Sequence, residues 1–278
     1  MTAPDDCFAA IARALAADPT HPVDLAEAAL LVAADHRPGL DVRAGLARLD
    51  VLAEAARPAV LAAWSDAARV EALNQFLFVR EGFHGNTEEY DDPRNSLLDC
   101  VLERRTGLPI TLSLVYLEVG GRLGLPVEGI GFPSHFLVRW RGREDVVIDA
   151  FHGRVLADRA LAAMLRQALG QDVVFSRMEL QAITPHALLV RLLSNLKRHT
   201  ALAGDFAATL HCCERLLQLQ PDDPEEVRDR GLVYAQLDCV GAARDDLTRF
   251  LALAPGHPSA GSVQARLQDL EGRRVVLN

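Results

Sequence analysis

Two side chains in the middle of the chain are of the types that acid–base chemistry uses. They are His135, in Pro133-Ser134-His135-Phe136-Leu137-Val138, and Asp149, in Val146-Val147-Ile148-Asp149-Ala150-Phe151. A carboxylate that holds an imidazole fixes its tautomer and orientation, as a general base serving a nucleophile requires. A helix start suits a thiolate nucleophile, because its free N–H groups and about half a positive charge favour the thiolate and can bind an oxyanion. The helix between Gly107-Leu108-Pro109 and Gly124-Leu125-Pro126 offers such a start, yet its first turn reads Pro109-Ile110-Thr111-Leu112, without a thiol. Two other groups are candidates. Thr111 is the hydroxyl at the helix start, where the commoner role is capping, while Ser113, two residues on, points to another side of the helix. Cys100 is the nearest cysteine, but beside Leu97 and Val101 it reads as a buried structural thiol.

The elements that must hold these groups change character along the chain. From Cys7 to about Glu81 the text is Ala- and Leu-rich helix. It is cut by Asp18-Pro19 and Arg37-Pro38-Gly39, with Asp24 and Asp41 as N-caps. Residues 83–96 are polar and turn-rich, a long loop of the sort that carries or braces a site. Asn95 or Ser96 is the expected cap of the helix starting at Leu97, and Thr106 to Pro126 reads as one amphipathic helix. The period then falls to two in "EGIGF", "HFLVRW", "DVVIDA" and "GRVLA", which suits an antiparallel meander. Alternation puts His135 with Leu137 and Asp149 with Val147, so antiparallel pairing can bring the two polar groups together. Helices followed by a run of strands argue for an α+β fold.

After Thr184-Pro185 only helix signals remain. Gln220-Pro221 and Ala254-Pro255 close equivalent helices 34 residues apart, the length of a tetratricopeptide repeat, and about two repeats with a capping helix fit before the end. The expected division is a helical plus strand-bearing domain over residues 1–184 and a repeat domain over 185–278. His211, Cys212 and Cys213 are adjacent on a helix and diverge by about 100° each, so they are packing residues rather than metal ligands.

The order helix, "HFLV" strand, "IDAF" strand resembles the core of transglutaminase-like proteins of the papain-type thiol superfamily. There a cysteine opens the helix, histidine begins one strand and aspartate ends the next. The wider text from Leu73 to Trp140, "LNQFLFVREGFHGN" through "GFPSHFLVRW", is similar to the SirB-type bacterial branch, in which such a domain precedes tetratricopeptide repeats. The resemblance implies a remnant triad of His135, Asp149 and Thr111, with the family's cysteine falling at or next to Pro109-Ile110-Thr111. It also implies binding residues Asn74, Asn86, Tyr90, Asn95 and Arg105. Of these, Asn95 could equally cap a helix and Arg105 pair with Glu103.

Composition bounds the partners. Hydrophobic residues are 50% of the chain and aromatic residues 5%, and the formal net charge is −9 with no Lys/Arg block, so nucleic acid is not an expected partner. No apolar run reaches the roughly 18 residues a membrane span needs, and Asp5 and Asp6 stand where a leader would be basic, so a cytoplasmic location is expected. Five cysteines, two adjacent, fit reduced thiols. No cofactor and no metal are expected. The reading is a non-catalytic transglutaminase-like protein that engages a protein or peptide through its repeats. The competing one is an amide or peptide hydrolase or acyl-transferase using His135 and Asp149 with Thr111 or Cys100.

Overall fold

The computed structural model describes residues 4–272. Contacts divide the chain into two compact units, one of residues 19–192 and one that joins residues 193–272 to residues 4–18. The boundary thus falls between Leu192 and Leu193 rather than at 184/185. The N-terminal helix α1 (Pro4–Ala17) belongs with the repeats rather than with the strand-bearing unit.

The unit of residues 19–192 begins with α2 (Leu25–His36), α3 (Val42–Ala62) and α4 (Asp66–Asn74). Asp24 and Asp41 are the expected caps of the first two: Asp24 accepts from Glu27 N at 2.8 Å, and Asp41 from Arg43 N and Ala44 N at 3.0 and 3.2 Å. A π-helical stretch over Gln75–Arg80 leads into the 83–96 segment. That segment is not purely loop. His84–Gly85 forms β1, paired in parallel with β2 (Thr106–Gly107), and Pro93–Asn95 is a 3-10 turn. The next helix, α5 (Leu98–Arg104), starts at Leu97 without a side-chain cap. Asn95 and Ser96 therefore do not cap it.

Helix α6 (Pro109–Arg122) starts with Pro109, whose fixed φ suits the first helical position and whose missing N–H is no loss there. It is less amphipathic than its sequence suggests. Every residue from Pro109 to Tyr116 is buried, because α2, α3, α5, β1, β2 and the strands Val127–Ile130 and Leu137–Arg141 surround it. Gly120 permits the close approach, since a Cβ there would lie 2.8 Å from Val127 Cγ2.

The predicted meander is present as a four-stranded antiparallel sheet in chain order: β3 (Val127–Ile130), β4 (Leu137–Arg141), β5 (Asp145–Asp149) and β6 (Arg154–Leu156). Val138 pairs with Ile148 and Trp140 with Val146. One face packs Leu137, Val147 and Leu156 against Leu161 and Leu165 of α7 (Asp158–Leu169), a helix the period-two reading passes over. Alternation supplies the inward side chains, as expected of a sheet with a buried face.

The second unit continues with the end of α8 (Pro185–Leu202), then α9 (Phe206–Leu219), α10 (Pro224–Gln236), α11 (Val240–Leu253) and α12 (Ala260–Gly272), the helix pairs expected from the repeat spacing. Asp205 and Asp223 cap α9 and α10. Its core joins Leu217, Val227, Leu247, Phe250, Val263 and Leu270. Cys212 and Cys213 are fully buried, and burial pushes the Cys213 thiol up to about 12. No described helix is long and apolar enough to cross a membrane.

Candidate functional site

The sheet register that pairs Val138 with Ile148 carries His135 and Asp149 to one side of the sheet, one just ahead of β4 and the other ending β5. The turn before the strand is sharp: Ser134 has φ +54°, a conformation few non-glycine residues adopt. His135 Nε2 lies 2.9 Å from Asp149 Oδ1, so the two side chains pair and Nδ1 is left outside that contact. Asp149 is fully buried. Its Oδ1 also accepts the backbone N–H groups of Phe151 and His152 at 3.2 and 3.3 Å. Burial pushes its carboxyl up, but hydrogen bonds and charge from His135 and His152 outweigh it and hold the group at about 2.

His152 is a partner that sequence reasoning missed. Its Nδ1 lies 2.7 Å from Asp149 Oδ2, and its ring stacks with that of His135 at 6.1 Å between centroids and 25° between planes. The signal was available as a second histidine three residues after the aspartate, but only the turn after β5 folds it back. His135, Asp149 and His152 are the group of metal-ligating residues that converges among the described residues, with one donor atom from each within 4.8 Å of the others. Arg191 of α8 is the other unforeseen neighbour. Its Nη2 donates to the carbonyls of Phe132 and His135, and its guanidinium lies over the Phe136 ring at 5.6 Å. Burial lowers the pKa of Arg191, and Tyr90 acts against this.

Neither proposed nucleophile hydrogen-bonds His135. Thr111 Oγ1 accepts from Leu108 N at 2.9 Å and donates to Asn95 O at 2.7 Å, so its hydroxyl ties the helix start to the 83–96 segment. Cys100 faces Arg37 Nη1 at 3.0 Å and Asp99, and burial, with Asp99, raises its thiol pKa, opposite to the shift of an activated thiolate. Ser113 is fully buried and sits at 3.5 Å from the carbonyl of Phe136.

The remaining sequence-derived residues separate into two groups. Asn86 and Asn95 bond each other at 3.1 Å. Asn95 Nδ2 also donates to the carbonyls of Glu89 and Tyr90, and Asn86 Oδ1 accepts from Glu89 N. They brace the segment that carries Tyr90, whose ring meets Phe151 edge-on at 6.1 Å, and Phe151 in turn meets His135 at 6.2 Å. Gly85 seats this arrangement: its N–H donates to Phe151 O, and a Cβ there would stand 2.5 Å from the Phe151 ring. Asn74, at the end of α4, is buried with its Oδ1 unpartnered. Arg105 pairs with Glu81 at 3.1 Å rather than with Glu103, and lies over the Phe83 ring at 4.7 Å.

A central buried helix, an antiparallel sheet that presents a His–Asp pair, and a run of paired helices define a transglutaminase-like domain followed by helical repeats. The Transglutaminase-like superfamily profile matches residues 43–194, and the Tetratricopeptide repeat profile matches residues 196–268. The chain belongs to the UPF0162 family of the transglutaminase-like superfamily. It is 39% identical to a UPF0162 protein of Xylella fastidiosa strain 9a5c over 90% of this chain and 91% of the relative. The corresponding figures are 33% over 73% and 76% for a UPF0162 protein of Vibrio cholerae, and 28% over 76% and 79% for Protein SirB1 of Salmonella typhimurium. No solved structure matches the chain.

Proposed function

We propose that the protein is a non-catalytic transglutaminase-like module that acts by binding a protein or peptide partner through its helical repeats. The observation that carries this reading is the helix start. Where a thiolate would face the imidazole, Thr111 spends its hydroxyl on Leu108 N and Asn95 O, and Pro109, Ile110 and Leu112 are buried around it. His135 and Asp149 then serve as architecture that ties β4 to β5, and Asn86 and Asn95 hold the segment bearing Tyr90 over them. Repeat arrays of paired helices present extended surfaces suited to peptides, which supports the binding half of the reading.

Two measurements test it. Full-length protein is treated with thiol- and hydroxyl-directed covalent probes, and labelled residues are mapped by mass spectrometry. Labelling at Thr111 or Cys100 that disappears in His135→Ala would restore a hydrolase or acyl-transferase. Cross-linking of the full chain to captured proteins should place most cross-links on residues 193–272. Cross-links confined to residues 19–192 would remove the repeats as the docking surface.

A further inference from the structure

Two imidazoles converging on one buried carboxylate exceed what a single oriented base requires. One histidine suffices to make a His–Asp pair, and here His152 takes the second oxygen of Asp149 at 2.7 Å while His135 takes the first at 2.9 Å. The three donors come from separate places: the turn before β4, the last residue of β5, and the turn that follows. They form a partly shielded cup, with Asp149 fully buried, His135 nearly so and the His152 side chain 47% exposed. We propose that His135 Nε2, His152 Nδ1 and Asp149 form a binding site for one divalent transition-metal ion, of the zinc-like class that its two imidazoles select.

The chemistry of the donor set fits that class of ion. Two neutral imidazoles and one carboxylate carry a single negative charge, and imidazole selects zinc, copper, nickel or iron over calcium and magnesium. A tetrahedral ion with bonds of about 2.0–2.1 Å holds its donors roughly 3.4 Å apart. The two imidazole nitrogens meet different oxygens of Asp149, at 2.7 and 2.9 Å, and the three donors lie within 4.8 Å of one another, so binding opens the short contacts by about half an ångström and closes the longest by up to about 1.4 Å. His152 can supply that movement because its ring is half exposed.

Proton balance is simple. Each neutral ring moves its N–H from the nitrogen facing Asp149 to its other nitrogen, Nδ1 of His135 or Nε2 of His152. The metal then occupies the vacated lone pairs, and no net proton is released. The carboxylate is kept in place for the ion by the backbone N–H groups of Phe151 and His152, the kind of outer support metal ligands generally need. One cation competes: Arg154 Nε lies 3.5 Å from Asp149 Oδ2, on a side chain 56% exposed that is free to withdraw. With three protein donors, a fourth position on the His152 side stays open for water or an anionic group of a ligand. The inference does not depend on the repeats or on the absence of a nucleophile.

The test uses the metal-free full chain titrated with Zn2+ by calorimetry and with Co2+ by visible absorption. The expected result is one ion per chain, a Co2+ spectrum of a low-coordinate site, and weakening of about tenfold or more in His152→Ala, whose exposed ring can be removed without unfolding the chain. Arg154→Gln should tighten binding. Asp149 and His135 variants are read only after circular dichroism shows native helix content. Failure to bind one equivalent overturns the proposal, and so does binding that is unchanged in both His152→Ala and a folded His135→Ala, which would place the ion on other histidines.

Discussion

Asp149 is the residue on which the site turns, and its electrostatics give a measurable signature. Its carboxyl is held at about 2, against an ordinary 3.8, because the two imidazoles outweigh the cost of burial. A depressed folded-state value means the stabilisation is fully present above pH 3.8 and is lost as pH falls through about 2. The shift corresponds to roughly 2 kcal/mol. In chelator, the gap in urea stability between wild type and Asp149→Asn should narrow by about that amount as pH falls from about 4 toward 2. A gap that does not change with pH would show that the carboxylate is not stabilised by its neighbours. Thr111 makes a second residue-scale prediction. Thr111→Val keeps the volume but leaves the buried Leu108 N–H to Asn95 O alone and removes the donor to that carbonyl, so stability should fall by about 1–3 kcal/mol. Thr111→Ser, which retains the hydroxyl, should recover most of the loss in a thermal melt.

At the scale of elements, α6 shows how closely the helix and sheet are fitted. Gly120 and Gly121 are neighbours in one helix with opposite surroundings: a Cβ on Gly120 would meet Val127 at 2.8 Å, whereas one on Gly121 meets nothing within 4 Å. Gly121→Ala should stabilise by up to about 1 kcal/mol through helix propensity. Gly120→Ala should cost about 1–3 kcal/mol by pushing β3 away. Chemical denaturation of the two single variants checks the contrast, and equal effects would mean that the helix–strand contact is slack. Much at this scale is legible in sequence. Period-two alternation gives the side of each strand a residue occupies, so an antiparallel pairing can bring His135 to Asp149, while the register that does so comes from the folded sheet. What escapes depends on tertiary packing. Asn95 reads as a helix cap by type, but its amide serves the carbonyls of Glu89 and Tyr90. His152 joins the site only through the turn after β5. The burial around α6 is invisible because a helix surrounded on all sides still carries the apolar spacing of a half-exposed one.

At the scale of the molecule, two repeats are fewer than the three usually needed to bury a continuous core. The chain meets part of that deficit from its other end. Phe8 of α1 is fully buried, packs in the repeat unit and lies under the guanidinium of Arg215 on α9 at 4.7 Å. Sequence reading assigns this helix to the strand-bearing domain because adjacency in the chain is its only guide, whereas contacts place it some two hundred residues downstream. If α1 completes the repeat core, Phe8→Ala should cost about 3–5 kcal/mol, the usual range for emptying a buried aromatic position. Hydrogen exchange followed by mass spectrometry would locate the damage. Protection should fall first in α9 and the helices packed on it, while peptides from α6 and β3 to β5 keep theirs. Equal loss across both regions would mean that the two units open together, and loss confined to α6 and the sheet would return α1 to the domain that its place in the sequence suggests.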